Sequence, residues 1–210
     1  MRFTALKIPD VFRIDPEPFR DRRGSVHELF RHEALGAAAG RPFTPVQATY
    51  SVSREGSLRG IHATAVPPGE AKLITCVRGA VLDAVVDLRV GSPTFGEFEL
   101  TRLDARSGTG IFMAEGIGHA FLALSDDTCM SYLCSCEYRP GRMIDVDALD
   151  PGIGIPWGEG RTFVRSKKDI EAPTLREAVE AGLLASWEEC RSSYGGPGGA
   201  GRLGQRSREA

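Results

Sequence analysis

The chain has 210 residues, 41% of them hydrophobic, which fits one domain with a substantial core. Its 26 basic and 28 acidic residues give a formal net charge of −2, without the basic excess of a nucleic-acid-binding surface, so we expect no nucleic-acid partner. We find no signal peptide and no apolar run of membrane-spanning length. We therefore expect a cytoplasmic protein with no membrane partner.

The part of the chain from residue 12 to about 138 has the pattern of a β-protein. Short apolar segments are broken by Gly, Pro and Asp about every ten residues, a rhythm typical of an antiparallel barrel or sandwich. Helix signals are sparse in this part. The clearest strands are residues 72–77 and 80–89. We predict that they form a hairpin at Arg78-Gly79, where glycine supplies the left-handed conformation of a tight turn.

The C-terminal part carries a helix signal followed by a biased tail. Thr174 and Glu177 form a capping box, which predicts one helix at about 174–188, packed on the β-domain. An apolar stripe follows at helical spacing, formed by Leu175, Val179, Leu183 and Trp187. We predict a single domain over 1–192. Residues 193–210 are rich in Gly and Arg and poor in apolar side chains, so we predict a disordered tail.

Two histidines stand in similar surroundings, and a barrel with two related strands would present both inward. They are His62, which ends LRGIH, and His119, which ends EGIGH. Metal-binding cupins carry a second ligand two residues after the first histidine, because alternate strand residues face the same way. That position is Thr64 here. His62, His119 and Glu70 would leave a transition metal under-liganded, so we expect no metal.

The cysteines give no sign of a metal site or of disulfides. There are five, an odd number that agrees with a reducing compartment. Cys134 and Cys136 would face the same side of a strand, but no second Cys/His pair completes a zinc set. We expect small, buried, reduced thiols.

Tyrosine and lysine side chains supply further candidates for acid and charge-stabilising roles. Alternate positions of one predicted strand should line the same face, and here they carry Tyr132, Cys134, Cys136 and Tyr138. A tyrosine can donate a proton to a carbanion, or it can be a core aromatic with a satisfied hydroxyl. Lys72 among apolar neighbours either points inward toward a developing oxyanion or protects an edge strand.

Several motifs occur in a fixed order along the chain: LRGIH at 58–62, Lys72, VVDLR at 85–89 with GSPTFG at 91–96, GIGHAF at 116–121, and DPGIGIPW at 150–157. Together they resemble the dTDP-4-dehydrorhamnose 3,5-epimerase family, over a stretch from about 12 to 174. The resemblance implies a cupin-type (jelly-roll) antiparallel β-barrel with a short C-terminal helical segment. It also implies a homodimer that acts on a dTDP-4-keto-6-deoxyhexose without a metal or other cofactor.

The resemblance also implies roles for individual side chains. His62 matches the base of the family, and Tyr132 matches the opposing acid. Lys72 would stabilise the enolate. Asp169, in SKKD at 166–169, would support His62, although sequence spacing alone does not bring these two residues together.

The substrate-binding residues implied by the resemblance would hold the diphosphate, the sugar and the base. They are Phe19, Arg23, Glu28, Gln47, Thr49, Arg59, His119 and Tyr138. Some positions depart from the family pattern. Ala63-Thr64 stands where Tyr-Gln is common, Thr49 replaces an Asn, and Val26 replaces an aromatic. These changes indicate altered sugar-facing and nucleotide-facing walls, whereas the catalytic set is intact.

The residue set leaves the reaction open between related outcomes. Mono-epimerases that act at C3 alone or C5 alone keep the same catalytic residues as 3,5-epimerases. A 3,4-ketoisomerase of the same nucleotide sugar also uses a histidine in a barrel, but it would not need an opposing Tyr132. A non-catalytic sugar-nucleotide-binding domain is a third interpretation, against which the set of His62, Lys72 and Tyr132 argues.

Overall fold

The structure is a computed structural model that describes residues 1–158 and 160–194. Two antiparallel sheets face each other in it, and a small hairpin stands apart from both. The larger sheet has six strands, in the spatial order β1 (Arg2–Ala5), β2 (Val11–Asp15), β10 (Gly110–Met113), β7 (Lys72–Arg78), β12 (Thr128–Cys134) and β5 (Gln47–Ser53). The smaller sheet has five, in the order β13 (Met143–Asp145), β6 (Leu58–Thr64), β11 (Ile117–Ala123), β8 (Ala80–Asp87) and β9 (Phe98–Asp104).

The remaining elements lie outside these two sheets. The small hairpin pairs β3 (Phe19–Asp21) with β4 (Gly24–Val26), and all six of its residues are exposed. Residues 1–158 and 160–194 contain four short helices: α1 (His32–Ala39), α2 (Lys167–Ile170), α3 (Leu175–Glu180) and α4 (Trp187–Ser192). No helix in the described part of the chain is long and apolar enough to cross a membrane.

The core has three layers because both faces of each sheet carry apolar side chains. The central layer lies between the sheets and joins residues such as Ile74 and Met113 of the larger sheet to Val85 and Phe121 of the smaller one. The outer face of the smaller sheet packs against the segment that follows β13, including Trp157. The outer face of the larger sheet packs against α1. The predicted mainly antiparallel jelly-roll fold is confirmed, although the sheets do not close into a continuous barrel.

The predicted hairpin at Arg78-Gly79 is wrong. The strands are present, but β7 belongs to the larger sheet and β8 to the smaller one, so the chain crosses between sheets at this turn. Gly79 has a φ of 77°, and a Cβ there would lie 2.4 Å from Thr128 Oγ1. The glycine therefore serves a tight crossover rather than a hairpin, and sequence gives the same signal for both.

The single C-terminal helix predicted at 174–188 is also wrong. The chain forms α3 and α4 instead, each with its own capping box, from Thr174 and from Ser186. Gly182, with a φ of 65°, follows the end of α3 and interrupts the predicted stripe. Helix α1 was missed because its N-cap residue, Arg31, makes no side-chain capping hydrogen bond and so gives no start signal.

The predicted disordered tail is wrong for its first two residues, Ser193 and Tyr194. Ser193 is the C-cap of α4, and the Tyr194 hydroxyl donates to Asp10 Oδ2 at 2.8 Å. Arg41 also lies over the Tyr194 ring, at 4.1 Å from its centre. The remainder of the predicted tail, 195–210, lies outside the described residues.

Candidate active site

The proposed base and its partner form a short hydrogen bond. His62 Nε2, on β6, lies 2.6 Å from Asp169 Oδ1, in α2. The side chain of His62 is 29% exposed, whereas that of Asp169 is 4% exposed. Because an ionised carboxylate only accepts hydrogen bonds, Nε2 carries a proton, so the lone pair of the neutral imidazole lies on Nδ1. This is the arrangement that a histidine base requires.

The cap of helix α2 fixes the position of the Asp169 carboxylate. Ser166 Oγ donates to Asp169 Oδ2 at 2.7 Å and accepts from the Asp169 backbone N–H at 3.1 Å. Burial acts to raise the pKa of Asp169, but the hydrogen bonds from His62 and Ser166 outweigh it and lower that pKa to about 2. Asp169 therefore remains ionised beside His62 at neutral pH.

The segment before α2 explains how His62 and Asp169, which are 107 positions apart in the chain, come into contact. Val164 forms a parallel bridge with Ser57, and the Leu58 N–H donates to the Val164 carbonyl at 3.0 Å. Arg165 then donates to the Asp169 carbonyl and to Asp147. Helix α2 is thus held against the strand that carries the histidine.

A second carboxylate, which the sequence analysis missed, also lies near His62. Asp145 on β13 is the cross-strand partner of His62, and its Oδ1 lies 3.7 Å from His62 Nε2. Lys168 Nζ lies 2.8 Å from the same Oδ1. The three-residue strand β13 has too little periodicity to be recognised from sequence.

His119 lies opposite His62 in the sheet and has its own carboxylate. The two histidines are register partners on β11 and β6. His119 Nε2 lies 2.6 Å from Asp83 Oδ2, and both side chains are buried. Burial raises the pKa of Asp83, and the charge of His119 opposes that shift. Asp83 was missed, although an aspartate inside the apolar strand AVLDAVVD signals a buried polar partner.

Tyr132 approaches from the larger sheet. Its ring packs edge-on against His119 with 6.1 Å between the ring centres, and its hydroxyl lies 3.2 Å from Ser51 Oγ. Burial raises the pKa of Tyr132, and the hydrogen bond with Ser51 only partly offsets this. The phenol therefore stays protonated at neutral pH, as a proton donor must.

Lys72 is buried and points into the molecule. Its strand, β7, lies between β10 and β12, so protection of an edge strand does not explain it. Lys72 Nζ lies 2.9 Å from Glu70 Oε2, and Thr64 Oγ1 donates to that same oxygen at 2.9 Å. Thr64 thus contacts a carboxylate at the position where metal-binding cupins carry a second ligand.

A cavity of about 360 Å³ connects Lys72 and Tyr132 with part of the predicted binding set. Gln47, Thr49 and Tyr138 line it. Gln47 Nε2 donates to Thr49 Oγ1 at 2.9 Å, and the Tyr138 backbone N–H donates to Gln47 Oε1 at 2.7 Å. The predicted shared face is also present, since Tyr132, Cys134, Cys136 and Tyr138 all line this cavity.

The other predicted binding residues lie away from the cavity wall. Arg59 is exposed and donates to Ser53 Oγ at 3.1 Å. Phe19 and Arg23 are exposed on the small hairpin, where Arg23 pairs with Asp21 at 2.6 Å. Glu28 is exposed just beyond that hairpin. None of these four residues lines the cavity within one chain, and neither do His62, His119 and Asp169.

The cysteines do not form a reactive or metal-binding group. All five are free thiols. Burial, and then the charge of Glu70, raise the pKa of Cys134 to about 12, so its thiol stays neutral. In the described residues, no three His, Cys, Asp or Glu side chains cluster in a way that could hold a metal ion.

Comparisons with known proteins agree on one family. The family model for dTDP-4-dehydrorhamnose 3,5-epimerase matches residues 5–177. The chain is 46% identical, over 192 residues, to a dTDP-4-dehydrorhamnose 3,5-epimerase of Mycolicibacterium smegmatis, covering 91% of this chain and 94% of that protein.

Two solved structures are similar along most of their length. One is NovW of Streptomyces spheroides, a 4-keto-6-deoxy sugar epimerase from the novobiocin gene cluster, with a TM-score of 0.88, 47% identity and coverage of 90% of this chain and 95% of that one. The other is ChmJ of Streptomyces bikiniensis, a 3'-monoepimerase in complex with dTDP-quinovose, with a TM-score of 0.87, 43% identity and coverage of 90% and 96%. The chain therefore belongs to the dTDP-4-dehydrorhamnose 3,5-epimerase family, whose members are isomerases.

Proposed function

We propose that the chain epimerises dTDP-4-dehydro-6-deoxy-D-glucose at C3, at C5 or at both, by proton transfer next to the C4 ketone. The observation that carries this proposal is the 2.6 Å hydrogen bond between His62 and Asp169, which leaves Nδ1 as the basic atom. Family membership supports the substrate class, since the similar ChmJ structure contains a dTDP-sugar.

The first step is removal of a proton from the carbon beside the ketone. His62 Nδ1 takes the proton, the C–H electron pair becomes the C=C bond of an enolate, and the carbonyl π pair moves to the C4 oxygen. Asp169 stabilises the imidazolium that forms. A positioned base of this kind contributes about 10² to 10⁴ in rate.

The second step returns a proton from the opposite face. Lys72 stabilises the enolate oxygen, an interaction on the order of 3 kcal/mol if it matches one oxyanion-hole donor. Tyr132 donates its proton to the carbon and so inverts the centre. Exchange with water then removes the proton from His62 and restores the one on Tyr132.

The binding residues divide into two groups in this proposal. Gln47, Thr49 and Tyr138 hold the nucleotide sugar from the cavity wall, while Arg59 and His119 approach it from the smaller sheet. Phe19, Arg23 and Glu28 complete the pocket of a second copy of the chain. Two arginines suit the geometry of a diphosphate.

The same proposal includes a homodimer, and two features support it. Strand β5 is at an edge of the larger sheet, so one of its sides has no strand partner among the described residues. Its side chain Tyr50 is 72% exposed, and Phe19 on the small hairpin is 70% exposed. Exposed large apolar groups of this kind are typical of an interface. We also propose a cytoplasmic location, which the five free thiols support.

Deuterium exchange tests both activity and regiochemistry. The protein is incubated with dTDP-4-dehydro-6-deoxy-D-glucose in D₂O, and NMR locates deuterium at C3, C5 or both. We expect exchange at C3 at least, because ChmJ is a 3'-monoepimerase. A carbonyl that moves to C3 would indicate a 3,4-ketoisomerase instead. Tight dTDP binding without any exchange would contradict the enzymatic proposal.

A further inference from the structure

Lys72 has a buried counter-charge beside the cavity. Its ammonium lies 2.9 Å from Glu70 Oε2, and the two side chains are 11% and 9% exposed. Within the ranges 1–158 and 160–194, Glu70 is the one carboxylate at ion-pair distance from Lys72. A buried ammonium loses its proton readily unless an opposite charge lies close by, because burial disfavours the charged form. The Glu70 carboxylate therefore supplies the opposite charge that a buried ammonium such as that of Lys72 requires.

Thr64 holds the Glu70 carboxylate from the other sheet. Thr64 belongs to β6 of the smaller sheet, whereas Lys72 begins β7 of the larger one. The Thr64 hydroxyl donates to Glu70 Oε2 at 2.9 Å, so both donors converge on a single oxygen. The carboxylate is thus fixed between the sheets, and its charge holds the ammonium at the edge of the cavity.

We propose that Glu70 is a positioning residue that holds the Lys72 ammonium toward the cavity, and that Thr64 keeps Glu70 in place. The inference rests on the proposed function, in which Lys72 stabilises the enolate oxygen. It adds a partner to that step, in the same way that Asp169 partners His62. The other titratable groups lining the cavity around this pair are Arg41, Glu115, Tyr132, Cys134, Cys136, Glu137, Tyr138, Arg139 and Arg142.

These other groups do not replace Glu70. Arg41 and Glu115 are paired with each other at 2.7 Å. Arg142 donates to the Pro67 carbonyl. Glu137 is exposed, and no hydrogen bond or ion pair joins it to Lys72 in the part of the chain that the structure describes. Glu137 therefore offers a matched carboxylate for a control.

The test is a comparison of kcat and KM for wild type, Glu70→Gln and Glu137→Gln. Glutamine keeps the shape of Glu70 and can still accept from Thr64, and thermal unfolding checks that the variant is folded. We expect Glu70→Gln to lower kcat about tenfold, as for the loss of an interaction with a charged group. KM should change little, because Lys72 acts on the enolate that forms during the reaction. Glu137→Gln should keep the wild-type kcat and KM.

Additional variants distinguish a failure of the inference about Glu70 from a failure of the proposed function. Thr64→Val should lower kcat in the same way by a smaller amount. In a Lys72→Met background, Glu70→Gln should lower kcat no further, because the two residues act as one unit. A kcat unchanged by Glu70→Gln would overturn the inference alone. A wild-type protein that catalyses no exchange would instead overturn the proposed function.

Discussion

Two hydrogen-bonded pairs in this molecule each contain a buried aspartate, but they have opposite surroundings. Arg89 and Asp87 are completely buried and joined by two hydrogen bonds of 2.8 Å. Asp87 also accepts from Ser92 and Thr94, and the Arg89 guanidinium lies 4.1 Å from the centre of the Trp187 ring. The second pair, His62 and Asp169, has one member buried and the other 29% exposed.

The difference lies in the polar atoms that are left without a partner. Burial acts to raise the pKa of Asp87, but the hydrogen bonds and charge of Arg89 outweigh it and lower that pKa. The carboxylate of Asp169 behaves in the same way. His62, however, keeps an Nδ1 that makes no hydrogen bond within the described residues. We conclude that such a pair is structural when all its donors are used, and is a candidate for catalysis when one basic atom remains open.

Replacement of His62 should have the largest effect on catalysis. In His62→Ala, deuterium exchange at the substrate carbon should fall by about 10² to 10⁴, since the base is lost. Asp169 keeps the hydrogen bonds from Ser166, so the variant should remain folded. NMR of the exchange reaction in D₂O measures the effect. Exchange at the wild-type rate in this variant would show that His62 is not the base.

Replacement of Arg89 should have the largest effect on stability and little effect on chemistry. Arg89→Met leaves Asp87 buried without its counter-charge, which should lower the free energy of unfolding by about 3–5 kcal/mol. Urea unfolding measures this loss, and Arg89→Met with Asp87→Asn should recover part of it. Exchange per folded molecule should remain near wild type. A strong loss of deuterium exchange in folded Arg89→Met would contradict the assignment of a structural role to Arg89 and Asp87.

The two pairs also differ in how far sequence could predict them. Asp87 and Arg89 are two residues apart within one motif, so their proximity is local. Asp169 reaches His62 only through the bridge between Val164 and Ser57, which leaves no periodic signal. Family resemblance supplied that pairing, and the structure supplies its geometry.

The errors in the sequence analysis follow from ambiguous local signals. A glycine turn at Gly79 fits a hairpin and a crossover equally well, and only the packing of two sheets distinguishes them. The second capping box, from Ser186 to Glu189, was readable and would have divided the C-terminal helix. Asp145 and Glu70 could not be assigned partners, because their contacts depend on how the strands are brought together.

Acid should weaken the His62–Asp169 pair in a defined pH range. The pKa of Asp169 is lowered to about 2 in the folded chain from an ordinary 3.8, so its contribution is complete above pH 3.8 and is lost as the pH falls toward 2. The contribution is on the order of 2 kcal/mol. The difference in unfolding free energy between wild type and Asp169→Asn should therefore shrink over this range. Asp87 is present in both proteins, so its contribution to the unfolding free energy cancels in the difference. A difference that is equal at pH 5 and pH 2 would contradict the lowered pKa.

The smallest effects should come from the two serine caps, which compare the two regions directly. Ser166 caps α2 beside His62 and Asp169, and Ser186 caps α4, whose Trp187 stacks on Arg89. Each Ser→Ala change should cost about 1 kcal/mol of stability, the usual value for a lost N-cap. Only Ser166 also donates to the Asp169 carboxylate, at 2.7 Å. Ser166→Ala should therefore slow deuterium exchange about tenfold, as the loss of a hydrogen bond to a charged group does, while Ser186→Ala leaves it unchanged. Equal exchange rates in the two variants would mean that the cap of α2 holds the helix but does not orient the carboxylate.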